Sequence, residues 1–296
     1  MNSELCNLCP RECGVNRQKG EKGYCHVGNE LRIGRVAPHY WEEPCISGEK
    51  GSGAVFFAGC NMGCVFCQNK DLAKGIYGKS YTIKEAAEAC LTLQQQGCHN
   101  INLVTPSHYV FQIIEMIKQA RENGLTIPVV YNTSAYEKVE TLRLLEGLVD
   151  IYLPDYKYAD SFLAERYSKA KDYPQVADAA IREMVRQCPK PVFDKDDMMK
   201  KGVIIRHLCL PSRTKESKKV IKKLYEAYGD KVYLSIMNQY TPYGDIEKFP
   251  ELKQPLSEAE YDEIVDYAIE LGVENGFIQE GETAKESFIP EFYRDE

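Results

Sequence analysis

Three thiols crowd the stretch Gly59 to Asn69, Gly-Cys-Asn-Met-Gly-Cys-Val-Phe-Cys-Gln-Asn, which follows directly on the apolar run Ala54 to Ala58. Cys60, Cys64 and Cys67 are spaced Cys-x3-Cys-x2-Cys. Thiolates are the usual ligands of iron–sulfur clusters, and a loop of this length wraps one corner of a cube when Gly59 and Gly63 allow sharp backbone turns. Three ligands for four irons leave one iron open to chelate a small molecule, much as a catalytic zinc keeps one position for its substrate. The alternatives are a structural zinc site or thiols buried for packing. Zinc takes four ligands, and the nearest residues, Asn61, Gln68 and Asn69, are poor donors for the fourth place.

A second group, Cys6, Cys9, Cys13 and Cys25, stands at Cys-x2-Cys-x3-Cys-x11-Cys spacing among Pro10, Gly14, Gly20 and Gly23. It suits zinc or a second iron–sulfur cluster, with His26 and Cys45 as spare donors; reduced thiols packed in a loop are the alternative. Residues 1–45 show almost no helical or strand periodicity, so they are expected to form a small cysteine-rich segment that a metal or cluster holds together, ahead of a main domain over 46–296. Twelve cysteines in a chain of 296 residues without an export signal point to metal or redox chemistry, not disulfides. No apolar run approaches the length of a membrane span, and the expectation is a cytoplasmic protein with no membrane partner. The balance of 37 basic against 44 acidic residues argues against nucleic acid, whose binding rests on clustered Lys and Arg.

After Gly51-Ser52-Gly53 the pattern becomes regular, with short β-branched or aromatic runs alternating with longer helical ones, which predicts a parallel sheet. Strands are expected over residues 54–58, 100–105, 128–132, 149–154, 203–209 and 232–238. Between them run amphipathic helices, the clearest carrying Ile83, Ala86, Ala87, Cys90 and Leu91 behind the capping box Thr82-x-x-Glu85. A last helix starts at Ser257 with its own box to Glu260. Six strand–helix units are too few to close an eight-stranded barrel, so an open, curved sheet is expected, with its chemistry at the carboxyl ends of the strands. Asp194, Asp196 and Asp197 among lysines read as a solvated turn, and Lys215, Lys218, Lys219, Lys222 and Lys223 as the wet face of a helix.

With Phe66 in the aromatic slot before the last cysteine, Cys-x3-Cys-x-aromatic-Cys after a first strand resembles the signature of the radical S-adenosylmethionine (SAM) enzymes. The resemblance implies an α/β fold, a partial (β/α)6 barrel. It also implies a [4Fe-4S] cluster on Cys60, Cys64 and Cys67 whose open iron chelates SAM. One electron cleaves the sulfonium, and the resulting 5′-deoxyadenosyl radical takes a hydrogen atom from the substrate. Leu153-Pro154-Asp155-Tyr156-Lys157 and the Arg206-containing fifth strand are similar to those of glycyl-radical-enzyme activases such as pyruvate formate-lyase activating enzyme. By that likeness Phe66, Asp155, Lys157 and Arg206 help bind SAM. Thr105 and Asn132, at the ends of the second and third strands, are expected to hydrogen-bond SAM, and Asn238 or Gln239 maps loosely over the adenine. A Gly-Gly-Glu stretch usual after the second strand is absent, with Thr105 and Ser107 in its place; Ser107 reads equally as a helix N-cap. His207, on the opposite strand face from Arg206, reads as packing.

The function so implied is hydrogen abstraction from a protein substrate, with a glycine of a glycyl radical enzyme as the target and a flavodoxin or ferredoxin as external electron donor. Modification of another peptide or of a small metabolite is the alternative within the same chemistry. A non-catalytic iron–sulfur electron carrier is the alternative outside it.

Overall fold

The computed structural model describes residues 5–279 together with Phe292 and Tyr293. Its strands are β1 (Leu31–His39), β2 (Ser52–Phe57), β3 (Lys79–Tyr81), β4 (Ile101–Val104), β5 (Val129–Thr133), β6 (Ile151–Pro154), β7 (Val192–Phe193), β8 (Met199–Leu208), β9 (Tyr233–Met237) and β10 (Gly276–Ile278). Between them lie α1 (Pro44–Ser47), α2 (Lys70–Ala73), α3 (Ile83–Gln95), α4 (Val110–Glu122), α5 (Val139–Arg143), α6 (Ser161–Ser168), α7 (Tyr173–Gln187), α8 (Thr214–Tyr228) and α9 (Glu258–Leu271). One sheet runs β10-β9-β8-β6-β5-β4-β2-β1-β3, with β7 paired to β8 off this path. Neighbours are parallel from β2 to β10, and β1 is antiparallel to both β2 and β3.

The six strands expected from periodicity are β2, β4, β5, β6, β8 and β9, and the fold is the α/β partial barrel they imply. The structure adds β10 beside β9 and β1 beyond β2. β1 lies in the stretch read as lacking strand periodicity, and the reason is local. Its pairing with β2 slips between Ile33 and Arg35, at Gly34, so the alternation begun by Leu31 and Ile33 is reset by a bulge.

Period-two alternation sends each strand's side chains into two cores. Val55, Phe57, Leu103, Tyr131, Tyr152 and Val203 face the helices in the largest apolar cluster. Val130, Ile151, Leu153 and Ile204 face inward, where Cys45 and Ile46 of α1 close the floor of the barrel. That placement removes Cys45 from the amino-terminal cysteine group for which it was a spare donor.

The inward curl is visible in one carboxylate. Glu42 accepts hydrogen bonds from Asn102 of β4 (2.9 Å), Asn132 of β5 (3.2 Å) and Arg206 of β8 (2.9 Å). On a flat sheet β4 and β8 would stand roughly 14 Å apart at three strand spacings, so their side chains meet only because the sheet wraps around this point.

Helix ends are set as the capping signals predict. Thr82 with Glu85 opens α3 and Ser257 with Glu260 opens α9, both as reciprocal boxes. Asp194 accepts from the backbone of Asp196 and Met198 in the turn between β7 and β8. Among the described residues no helix is long and apolar enough to cross a membrane.

Candidate functional site

The loop from Gly59 to Asn69 leaves the carboxyl end of β2, where ligands gather on parallel sheets that curve into barrels. Gly59 and Gly63 take φ of +90° and +80°, as the sharp turns require, but a second constraint falls on the same two positions. A Cβ on Gly59 would stand 2.5 Å from the carbonyl oxygen of Cys25, and one on Gly63 would stand 2.7 Å from the Tyr24 hydroxyl. The loop is thus seated directly against the amino-terminal cysteine segment. On its other flank Ser168 at the end of α6 donates to the Cys64 sulfur (3.1 Å), and the backbone N–H of Met62 donates to the Cys60 sulfur (3.4 Å).

All three thiols line one cavity of about 270 Å³ together with Phe66, Thr105, Asn132, Asp155, Lys157 and Arg206. Burial, reinforced by Cys64, pushes Cys60 up to about 11 and Cys67 up to about 12. A coordinating metal reverses that preference, because its charge holds thiols as thiolates. A larger cleft of about 890 Å³ lies at the opposite end of the barrel between α1 and the Phe193, Tyr233 and Phe277 rings, away from these thiols.

The floor of the first cavity is a charge network. Lys157 Nζ donates to Asp155 Oδ2 (2.7 Å), and Arg206 donates from Nε to Asp155 Oδ1 (2.8 Å) and from its two terminal nitrogens to Glu42 (2.9 Å) and Asn132 (2.6 Å). The backbones carrying Asp155 and Arg206 bridge directly, with the N–H of Tyr156 donating to the Arg206 carbonyl (2.7 Å), so the ion pair is positioned by the sheet itself. Burial alone would raise the Asp155 pKa, yet Arg206 and Lys157 hold it below the ordinary carboxylate value. Burial alone would lower that of Lys157, yet Asp155 and Cys64 raise it. Lys157 and Arg206 meet Asp155 and Glu42 here, and the Lys157 ammonium has hydrogen-bonding capacity beyond Asp155 on the cavity wall.

Of the residues expected near SAM, all but one line this cavity. Asn238 does not: its backbone and side chain bond to Gln279, and its neighbour Gln239 lines the wall instead. Alternation past the end of β9 aims Met237 and Gln239 inward, so of the two residues mapped over the adenine the cavity takes Gln239. Thr105 holds φ of +59°, unusual for a β-branched residue and a strain typical of functional walls.

Ser107 caps no helix. It sits in a 3-10 turn and donates to the buried Glu137 (2.5 Å), as do Thr133 (2.5 Å) and, more weakly, Tyr131 (3.4 Å). Burial pushes Glu137 up to about 7 against these bonds. His207 bonds to the Tyr156 carbonyl and to Ser217 on the helix side.

Sequence reasoning missed Glu42, Glu43 and Trp41, which follow β1. Glu43 is buried beside Arg206 with one carboxylate oxygen lacking a partner among the described atoms. Trp41 lines the cavity while 60% exposed. A strand assignment for residues 31–39 would have carried the chain into the barrel at this point.

The residues present suit an iron–sulfur cluster with an open iron. Three sulfurs face one cavity beside an ammonium and several hydroxyls, and its histidine, His39, pairs with Ser52 at the far end of β2. Among the described residues no three Cys, His, Asp or Glu side chains converge closely enough to share one ion.

Fold and thiol loop together define a class, and comparison with known proteins meets them there. The radical SAM superfamily model matches residues 54–194. The uncharacterised protein MJ0674 of Methanocaldococcus jannaschii is 30% identical over 275 residues, covering 90% of this chain and 73% of that one. Streptococcus suis SuiB, solved bound to its precursor peptide SuiA, superposes with a TM-score of 0.52 at 15% identity over 76% of this chain and 47% of that one. HydG, a maturase of the [FeFe]-hydrogenase, does so at 0.51 and 17% over 79% and 53%. The chain spans about half the length of these two solved structures, and at such identities the likeness is one of fold. This chain belongs to the radical SAM superfamily, whose members use a [4Fe-4S] cluster and SAM.

Proposed function

We propose that this chain is a radical SAM enzyme that takes a hydrogen atom from a protein or peptide substrate, in the manner of the glycyl-radical-enzyme activases. The observation that carries it is the meeting of Cys60, Cys64 and Cys67 with the Asp155–Lys157 pair in one cavity at the carboxyl end of the sheet. When bound, cluster and SAM supply one-electron cleavage of the sulfonium and a radical able to abstract hydrogen. The chain's own part is binding, orientation and exclusion of water.

Lys157 offers its remaining N–H donors to the SAM carboxylate, and Asp155 keeps it charged and aimed. Arg206 is fully engaged by Asp155, Glu42 and Asn132, so its role is to hold the floor rigid. Phe66, in edge contact with Tyr240 and Tyr167, presents an apolar wall for adenine. Ser168 and the Met62 N–H donate to sulfurs, a contact that tunes cluster potential.

For a macromolecular substrate the support lies at the rim. Trp41 lines the cavity and stands 60% exposed, aromatic surface of the type that protein partners cover. SuiB, a fold relative, is bound to a peptide.

Anaerobically reconstituted protein, reduced with SAM present, is expected to release 5′-deoxyadenosine and methionine. Incubated with a candidate glycyl radical enzyme, it is expected to generate a glycyl doublet in electron paramagnetic resonance. Absence of 5′-deoxyadenosine ends the enzyme reading, and 5′-deoxyadenosine without a protein radical ends the activase reading.

A further inference from the structure

Cys6, Cys9, Cys13 and Cys25 come together in the fold although nineteen positions of sequence separate the first from the last. The chain doubles back over Cys6 to Val15, with the Cys6 N–H donating to the Val15 carbonyl (2.9 Å) and the Gly14 N–H to the Cys6 carbonyl (3.0 Å). Cys25 then returns close enough to feel the charge of Cys6 and Cys13, and Cys9 close enough to feel Cys25. Gly23 makes room for this gathering, because a Cβ there would stand 2.4 Å from the Cys13 sulfur. None of the four is in a disulfide.

The group has two sides. Cys9 and Cys25 are buried against the catalytic loop, while Cys6 and Cys13 are partly exposed. The contact with that loop is dense. The Arg11 guanidinium, stacked 3.9 Å over the Tyr24 ring, donates to the carbonyls of Asn61 (2.8 Å), Met62 (2.9 Å), Lys169 (2.5 Å) and Ser168 (3.2 Å). Tyr24 donates to the Met62 carbonyl (3.1 Å), and both loop glycines are seated on this segment.

A segment with so little apolar content of its own needs an internal crosslink to hold such a surface in place. Four thiols with no imidazole or carboxylate among them are a donor set that ties every iron of a cube to protein, and a zinc on the same four thiols is the competing occupant that the metal count separates.

We propose that Cys6, Cys9, Cys13 and Cys25 ligate a second [4Fe-4S] cluster, fully coordinated by protein, and that this cluster is the electron entry to the catalytic one. A low-potential ferredoxin- or flavodoxin-type protein gives up one electron at the Cys6 and Cys13 side. The second cluster is reduced by that electron and reoxidised as it passes across the Cys9 and Cys25 side, and no covalent bond of the chain changes. The relay rests on the radical SAM reading; the metal assignment does not.

Iron, sulfide and zinc are measured after anaerobic reconstitution of the intact chain and of a Cys60→Ala, Cys64→Ala, Cys67→Ala variant. Roughly eight irons per intact chain and roughly four in the variant are expected, with a reduced cubane signal in electron paramagnetic resonance of the variant. Roughly four irons in the intact chain, or one zinc per variant chain, overturns the assignment; should the variant fail to fold by circular dichroism, the intact-chain count decides. For the relay, stopped-flow reduction of the Cys6→Ser, Cys13→Ser variant is compared for flavodoxin and dithionite. The ratio of the two rates is expected to fall by an order of magnitude from that of the intact chain, and an unchanged ratio overturns the relay. If the enzyme reading fails, 5′-deoxyadenosine is missing with either reductant while the iron counts stand.

Discussion

Lys157 and Glu137 show how one fold uses burial in two ways. Lys157 keeps its charge because Asp155 and Cys64 outweigh burial. Replacing it by methionine leaves Asp155 with Arg206 alone and removes the charge-assisted bond proposed for the SAM carboxylate. A loss of roughly 1.5–3 kcal/mol in SAM binding is expected, read by equilibrium titration of the reconstituted protein; unchanged affinity would remove Lys157 from the SAM site.

Glu137 has only neutral donors around it, and burial lifts it to about 7 from 4.5. Between those values the folded chain holds a proton that the unfolded chain has lost. Its contribution to stability is therefore full below about pH 4.5 and declines as pH rises through about 7. The decline is on the order of 3 kcal/mol, so Glu137→Gln is expected to flatten the fall in denaturation midpoint across that window. A parallel pair of profiles would contradict it.

At the scale of elements, the catalytic loop is defined as much by what it leans on as by its cysteines. Gly63→Ala places a Cβ in a left-handed turn and against the Tyr24 hydroxyl. A cost of about 1–3 kcal/mol is expected, together with reduced iron retention after desalting. Thr82→Ala removes one half of the α3 capping box. It is expected to cost about 1 kcal/mol in chemical denaturation while iron content stays that of the parent. Equal iron loss in both variants would show that global stability, and not loop seating, governs retention. Element positions were readable in advance where an apolar run is unbroken, as in the wholly buried β2. They were hidden where a bulge interrupts it, as at Gly34 in β1.

For the molecule as a whole, Arg11 is the fastening between the amino-terminal segment and the barrel, with four carbonyl acceptors on the loop and the end of α6. Arg11→Ala is expected to speed amide hydrogen exchange across residues 5–28 and the 59–67 loop together. Faster exchange in the first segment alone would mean that the two are not coupled.

The thiols, their spacing and the Asp155–Lys157 pair follow from sequence because each is a local pattern, settled within a dozen residues. The six parallel strands follow because strands buried on both faces are short, near-continuous apolar runs set between helical stretches. Glu42 is different. Its three partners come from β4, β5 and β8, and no nearest-neighbour pattern relates them. The choice between Asn238 and Gln239 turned on a single step of register, which pairing and packing set. Chemistry carried by contiguous residues is written in the chain; the floor that aims it exists only once the sheet curls and brings distant side chains to one carboxylate.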